Sequence, residues 1–126
     1  MTEAPKTALI LERDLFFVAK IREPLSSAGW SVRVAKSADD VQARLADAPP
    51  TIVIVHFGAA GVAWEQAIAA ARVAHVPVLA YGSHDDMAAQ QAAREAGATR
   101  VIANAKLAGG LLDLVERTIN HQPIGE

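Results

Sequence analysis

His56 ends the most uniformly apolar stretch of the sequence and is the first residue there that could do chemistry. Five consecutive β-branched residues, 51–55, separate it from Pro50. An imidazole titrates near neutral pH, so His56 could bind a ligand, accept a phosphoryl group or sense pH. No second histidine, cysteine or carboxylate stands near it at the spacing of a metal motif. The sequence therefore indicates no metal site at His56.

Polar residues also follow the other candidate strands. They are Glu12, Arg13 and Asp14 after residues 7–11, Ser83 after 76–81 and Asn104 after 100–103. Since the carboxyl ends of parallel strands meet at one edge of a sheet, these side chains and His56 are expected to line a common crevice. Arg13 could bind an anion there together with Asn104, but pairing with Glu12 or Asp14 is favoured. Ser83 lacks an evident acid and base partner, which disfavours a hydrolase.

Two of the candidate strands are apolar on both faces. Residues 7–11 and 52–55 contain no charged side chain, which is typical of buried strands in a parallel sheet with helices on both sides. Residues 31–35 alternate in polarity and predict a strand at or near an edge. Residues 76–81 and 100–103 complete a set of five predicted strands.

Apolar residues at helical spacing between the strands predict five helices. They begin at about residues 15, 38, 62, 86 and 111. Asp14 and Ser37 are the expected N-cap residues of the first two, and Gly97 is expected to end the fourth. Pro24 is expected to kink the first helix or fray its end. Five strands that alternate with five helices specify one doubly wound α/β domain with the flavodoxin-like strand order 2-1-3-4-5.

The composition limits the class of protein. The chain has 126 residues, 52% of them hydrophobic, which suits one domain with its own core. A net charge of −2 carries no electrostatic signature of nucleic-acid binding, so no nucleic-acid partner is expected. Cysteine is absent, which excludes disulfides and thiolate chemistry.

The ends of the chain predict short tails around the domain. We assign residues 1–6 to an N-terminal tail, 7–120 to the domain and 121–126 to a polar tail that is expected to be disordered. The first residues lack the basic and then apolar order of a signal peptide, and no apolar run is long enough for a bilayer. We therefore expect a cytoplasmic protein with no membrane association.

Three stretches of the sequence resemble, in their order and spacing, the receiver domain of bacterial response regulators. They are 50–56, 76–80 and 95–98. The resemblance extends over about residues 7–120. It implies the same flavodoxin-like fold, and it implies a site at the carboxyl edge of the sheet. In that family two acidic residues and a phosphoacceptor aspartate hold Mg²⁺, while a hydroxyl and a lysine bind the phosphoryl oxygens.

Position by position, the resemblance implies that most of these groups have been replaced. The acidic pair falls on Glu12 and Arg13, the acceptor on His56, the hydroxyl on Gly82 with Ser83 one residue away, and the lysine on Asn104. Four of five groups are gone, which makes phosphorylation by the family's route very unfavourable. His56 is then expected to be a hydrogen-bonded residue that occupies the space of the missing aspartate and ion.

The resemblance with these replacements implies a pseudo-receiver. We expect a non-enzymatic signalling module, without metal or cofactor, that binds a protein partner or a second copy of itself. The alternative is a small-ligand or anion sensor that uses the crevice around His56, and a phosphoacceptor with unusual chemistry is the least favoured hypothesis. The expected docking surface lies on the last two helices and consists of Ala88, Ala92, Leu107 and Leu114.

Overall fold

The strand that ends at His56 lies in the middle of a five-stranded parallel sheet. In the computed structural model, which describes residues 6–120, the strand order is β2-β1-β3-β4-β5. The strands are β1 Thr7–Leu11, β2 Ser31–Ala35, β3 Ile52–His56, β4 Val78–Gly82 and β5 Arg100–Ala103. The predicted flavodoxin-like fold and its strand order are therefore confirmed.

Five helices alternate with the strands along the chain. They are α1 Leu15–Ser27, α2 Ala38–Asp47, α3 Trp64–Val73, α4 Met87–Ala96 and α5 Leu111–Asn120, with a 3₁₀ turn over Asn104–Leu107. The predicted caps are confirmed, because the side chain of Asp14 accepts from the Phe16 amide and that of Ser37 from the Asp40 amide. Gly97 ends α4 in the left-handed conformation.

The α1 helix does not end early at its proline. It continues from Pro24 to Ser27, so the expected fraying there is wrong. The amide of Trp30 donates to the carbonyl of Leu25, which turns the chain back onto the end of the helix. Because a proline costs a helix one amide donor only at its own position, the following turn forms its hydrogen bonds normally.

The two faces of the sheet are both covered. Along β3, Val53 and Val55 pack with α2, α3 and α4, whereas Ile52 and Ile54 pack with α1 and α5. All four side chains are fully buried. Successive side chains of a strand point to opposite faces, so a strand buried on both faces has no position for a polar residue until it ends.

The two predicted tails, apart from Lys6, lie outside the described part of the chain. Residues 1–5 and 121–126, which we assigned to tails, are outside the described residues, and Lys6 directly precedes β1. Within residues 6–120, no helix has both the length and the apolar character needed to cross a bilayer.

Candidate functional site

Three residues from adjacent strands form one row at the carboxyl edge of the sheet. The register pairs Leu11 with Val55, so Glu12 follows β1 beside His56, and His56 pairs with Tyr81 of β4. Since side chains on one face recur every second residue, Glu12, His56 and Tyr81 all lie on the side of α1 and α5. The register of two buried strands thus places a carboxyl, an imidazole and a phenol side by side.

The Glu12 carboxylate is buried and uses both of its oxygens. Oε1 accepts a hydrogen bond from the Tyr81 hydroxyl and lies 3.0 Å from His56 Nδ1. Nδ1 is close to this oxygen but is not aligned for a hydrogen bond. Oε2 accepts from the backbone amides of Arg13 at 2.9 Å and Asp14 at 3.0 Å. Groups of the protein therefore donate hydrogen bonds to both oxygens of this carboxylate, which is only 6% exposed.

These contacts shift the titration of two groups in opposite directions. Burial opposes ionisation of Glu12, but the His56 imidazole, the Tyr81 hydroxyl and the Asp14 amide outweigh it and lower the pKa of Glu12. Burial, with the adjacent Glu12 carboxylate, raises the pKa of Tyr81 well above its ordinary value. The pair therefore stays as a carboxylate and a neutral phenol over the whole physiological range of pH.

Aromatic rings hold His56 in place. Its imidazole stacks on the Tyr81 ring with centroids 5.0 Å apart and an angle of 2° between the planes. Phe17 of α1 lies across both, at 5.6 Å from the imidazole and 5.9 Å from the phenol ring. The His56 side chain is 23% exposed, so part of its edge still reaches solvent.

On the other face of the same edge, Phe57 packs onto Gly82. A β-carbon built on Gly82 would lie 2.4 Å from the nearest carbon of the Phe57 ring, closer than any real contact. Phe57 is 2% exposed and also lies beside Trp64, the first residue of α3. The ring thus occupies the space that a side chain on residue 82 would take.

The remaining predicted crevice residues do not join this cluster. Among the described residues, the Arg13 guanidinium forms no ion pair with Glu12 or Asp14, and its Nη1 lies beside the loop at Gly61. The expected ion pair is therefore wrong, because the Tyr81 hydroxyl and two backbone amides already donate to the carboxylate. Ser83 is exposed and its hydroxyl accepts from the Asp85 amide.

Asn104 follows β5 as predicted and is half-buried. Its Oδ1 is buried and accepts no hydrogen bond from the part of the chain that the structure describes. A buried acceptor without a donor is unfavourable, so this oxygen is a point at which a small polar molecule would gain energy.

The residues at this edge do not fit a magnesium ion. Mg²⁺ requires oxygen ligands in near-octahedral geometry. Here Glu12 uses both oxygens within the protein, and the neighbouring positions carry the cationic Arg13 and the imidazole of His56. Between residues 6 and 120, no three histidine, aspartate or glutamate side chains are grouped so as to hold a metal.

The prediction that Leu107 belongs to the docking surface is wrong, which leaves three of the four predicted docking residues. Leu107 is 3% exposed and packs in the core between the sheet and the helices α1 and α5, because the 3₁₀ turn points it inward. Ala88 is exposed, while Ala92 and Leu114 are half-buried. Met87 at the start of α4 is 70% exposed and adds a large apolar side chain to this side of the molecule.

Sequence reasoning missed Tyr81, Phe17 and Phe57. The pattern predicts Tyr81 only as a strand residue, although it is the one tyrosine of the chain and stands directly before Gly82, the position of the hydroxyl. Its place in an apolar strand was the available signal, since a buried phenol needs a hydrogen-bond partner. Nothing in the sequence indicates that Phe57 turns back onto Gly82.

Solved structures with the same fold are response regulator receiver domains. No family model and no curated protein matches the sequence. FixJ-N is 16% identical with a TM-score of 0.79, over 96% of this chain and 98% of that one. The CheY-like receiver domain protein from Methanospirillum hungatei is 14% identical with a TM-score of 0.80, over 93% and 95% of the two chains.

The likeness also extends to part of a longer regulator. NtrX from Brucella abortus is 21% identical with a TM-score of 0.80 over 93% of this chain, which spans 27% of the NtrX chain. Identities this low establish a shared fold, and the shared fold is that of a receiver domain.

Proposed function

We propose that this chain, which has the receiver fold, is a pseudo-receiver: a non-enzymatic signalling module that acts by binding another protein and takes no phosphoryl group at position 56. The observation that carries the proposal is the contact set of Glu12, whose two oxygens are bound by Tyr81 and two backbone amides beside His56. Phosphoryl transfer needs an oxygen nucleophile, a cation and donors for developing charge. A cytoplasmic location belongs to the same proposal.

Three replacements at the edge support it together. His56 supplies a nitrogen where an acceptor carboxylate would stand, and its Nδ1 faces a carboxylate that repels an incoming anion. Gly82 offers no hydroxyl, and the Phe57 ring excludes one there. Asn104 offers a neutral amide in the place of a cation.

The test is chemical labelling of the purified chain. Incubation with acetyl phosphate and Mg²⁺ is expected to leave its intact mass unchanged, while a receiver domain of established phosphorylation gains one phosphoryl group in parallel. The His56→Gln variant serves as the matched control. A phosphoryl adduct on the chain that disappears in this variant contradicts the proposal, because His56 would then be an acceptor.

The docking surface that we propose lies on α4 and α5, with Met87, Ala88, Ala92 and Leu114. Exposed or half-exposed apolar side chains on these two helices, which cover opposite faces of the sheet, suit a protein partner, and the small residues of α4 allow close approach. Sedimentation over a concentration series, with Leu114→Asp, tests whether that partner is a second copy. The control is Val73→Asp, which changes an apolar side chain that is 79% exposed on α3.

The second candidate function is a small-ligand sensor in the crevice. The observation in its favour is the buried Asn104 Oδ1, which accepts no hydrogen bond from a described residue, together with the partly exposed His56 edge. Against it, Phe17 and Tyr81 occupy the space around His56. A thermal-shift screen of small polar molecules, with Asn104→Ala as the control, separates this function from the first.

A further inference from the structure

The Phe57 ring is pressed against the backbone of Gly82 on the side of α3 and α4. A β-carbon on residue 82 would lie 2.4, 2.5 and 2.7 Å from three carbons of the ring. The φ angle of Gly82 is not positive, so its own backbone would accept any side chain. The glycine is therefore required by the ring of Phe57 and by no feature of its own conformation.

Phe57 and its neighbour also hold the chain on either side of this point. The Phe57 amide donates to the Tyr81 carbonyl at 2.8 Å. A β-carbon on Gly58 would lie 3.1 Å from Asp86 Oδ2, so the loop after β3 touches the cap of α4. Two consecutive residues thus contact the end of β4 and the start of α4.

The segment between these two contacts has little else to fix it. Ser83, His84, Asp85 and Asp86 are all exposed. Their hydrogen bonds are all local. The amides of Asp85, Asp86 and Met87 donate within the turn, the side chain of Gln90 donates to the carbonyls of Ser83 and His84, and Asp86 caps the first turn of α4. The His84 imidazole lies 3.1 Å from the exposed carboxylate of Asp85. Exposed polar contacts of this kind open readily, whereas a buried ring does not leave a packed core without a cavity.

We infer that Phe57 is a positioning residue that locks residues 82–86, and with them the first turn of α4, in one place relative to β3. The permanent apolar packing of Phe57 fixes this segment, so no bound ligand is needed to control its position. Its biological consequence rests on the proposed function, because a fixed α4 would present the docking surface continuously. The contact itself is independent of whether α4 binds a partner.

Native-state hydrogen exchange of the whole chain tests the lock. In Phe57→Ala the amides of residues 86–90 are expected to exchange about tenfold faster or more through local opening, which denaturant does not affect. The slowest amides of β1 and β3 are expected to accelerate only through global unfolding, by the amount that the loss of stability of the variant gives. The matched control is Phe16→Ala, which removes an aromatic ring that is 62% exposed on α1. Acceleration at residues 86–90 through global unfolding alone, or none there, overturns the inference.

A compensating pair of substitutions tests the contact directly. Gly82→Ala is expected to lower the folding equilibrium constant at least about a hundredfold in the wild type, but by less than about fivefold in Phe57→Ala, where the ring no longer occupies the space. Equal losses in both backgrounds contradict the lock. Should Gly82→Ala alone not fold, a double variant that folds as well as Phe57→Ala supports it, and a double variant that does not fold contradicts it.

These measurements are separate from those of the proposed function, because exchange and unfolding require neither phosphoryl donor nor partner. Faster exchange at α4 in a chain that accepts a phosphoryl group would support the lock and overturn the pseudo-receiver. Unchanged exchange at α4 in a chain that accepts none would overturn the lock and support the pseudo-receiver.

Discussion

The carboxyl edge of the sheet is built in two different ways on its two faces. On the side of α1 and α5, the row of Glu12, His56 and Tyr81 is polar, hydrogen-bonded and capped by aromatic rings. On the side of α3 and α4, Phe57 lies directly on Gly82 and the contact is wholly apolar. The two faces are one residue apart in the sequence, because Phe57 follows His56 and Gly82 follows Tyr81.

The difference shows two physical ways to complete the same edge of the sheet. A buried carboxylate is costly unless donors surround it, and the polar face supplies those donors from the chain itself. The apolar face avoids the problem, because a phenyl ring and a glycine bring no polar side-chain atom that needs a partner. The polar half is consequently sensitive to pH, and the apolar half is not.

The largest effect is expected on the apolar side. Phe57→Ala removes a side chain that is 2% exposed, and a loss of about 3–5 kcal/mol in the free energy of unfolding is expected from lost burial and a new cavity. Because no titrating group takes part, the loss should be the same at pH 5 and pH 8. Urea unfolding at both values measures it. A loss that changes by more than about 1 kcal/mol between them breaks the contrast of the two faces.

The next effect belongs to the polar side. Tyr81→Phe keeps the ring but removes one donor to Glu12, so it is expected to cost about 1.5–3 kcal/mol near neutral pH. The lowered pKa of Glu12 stabilises the fold above the pKa of the unfolded chain, and this stability is lost as pH falls through the folded pKa.

The acid limb of the same variant is the sharper measurement. Without the phenol the pKa of Glu12 should rise toward its ordinary value, so the stability of Tyr81→Phe should fall less steeply on acidification than that of the wild type. Unfolding curves at intervals of pH compare the two slopes. A steeper slope in the variant would show that Tyr81 does not stabilise the carboxylate.

The sequence predicts the strands that form this edge better than it predicts the contacts between their side chains. The strands and their order could be predicted, because the runs 7–11 and 52–55 are apolar without interruption and the caps at Asp14 and Ser37 mark the helices. The position of His56 followed from where its strand ends. The partner of Glu12 could not be predicted, since the choice between Arg13 and Tyr81 depends on register, which the sequence of either strand leaves open.

Leu107 and Phe57 show the same limit at single residues. Leu107 was placed on a helix surface, but the 3₁₀ turn over Asn104–Leu107 rotates it into the core. Phe57 follows a buried strand in a loop that contains Gly58, where the backbone direction depends on one positive φ angle. Side-chain direction in such short segments follows from tertiary packing, which periodicity does not encode.

At alkaline pH the polar side should show the opposite dependence. The raised pKa of Tyr81 means that the unfolded chain ionises near its ordinary value while the folded chain does not. Its contribution to stability is complete below the unfolded pKa and declines above it, by about 1.4 kcal/mol per pH unit. Because the chain has a single tyrosine, tyrosinate absorbance reports this residue alone.

Two observations check that prediction. The folded chain should show no tyrosinate absorbance until it unfolds, and Tyr81→Phe should lose less stability than the wild type above about pH 10. Ionisation of the native chain near the ordinary tyrosine value would mean that the phenol is not tied to Glu12.

The smallest effect is expected for Arg13→Ala, and it tests whether the Arg13 guanidinium stabilises the Glu12 carboxylate. Its charge stands next to Glu12 in the sequence, but its guanidinium lies beside Gly61 and forms no ion pair among the described residues, whereas its backbone amide donates to Glu12 Oε2. Arg13→Ala keeps that amide. It should therefore change the free energy of unfolding by less than about 0.5 kcal/mol, the usual range for surface sites.

Arg22→Ala is the matched control, since Arg22 is exposed on α1 and forms no ion pair within the described residues. Denaturant unfolding at low and high salt compares the two variants. A loss above about 1 kcal/mol that salt reduces, at Arg13 alone, would show that the guanidinium stabilises the Glu12 carboxylate at long range. The stability of the polar face would then depend on a charge outside the row of Glu12, His56 and Tyr81. The two faces would differ less, because the apolar face needs only Phe57 and Gly82.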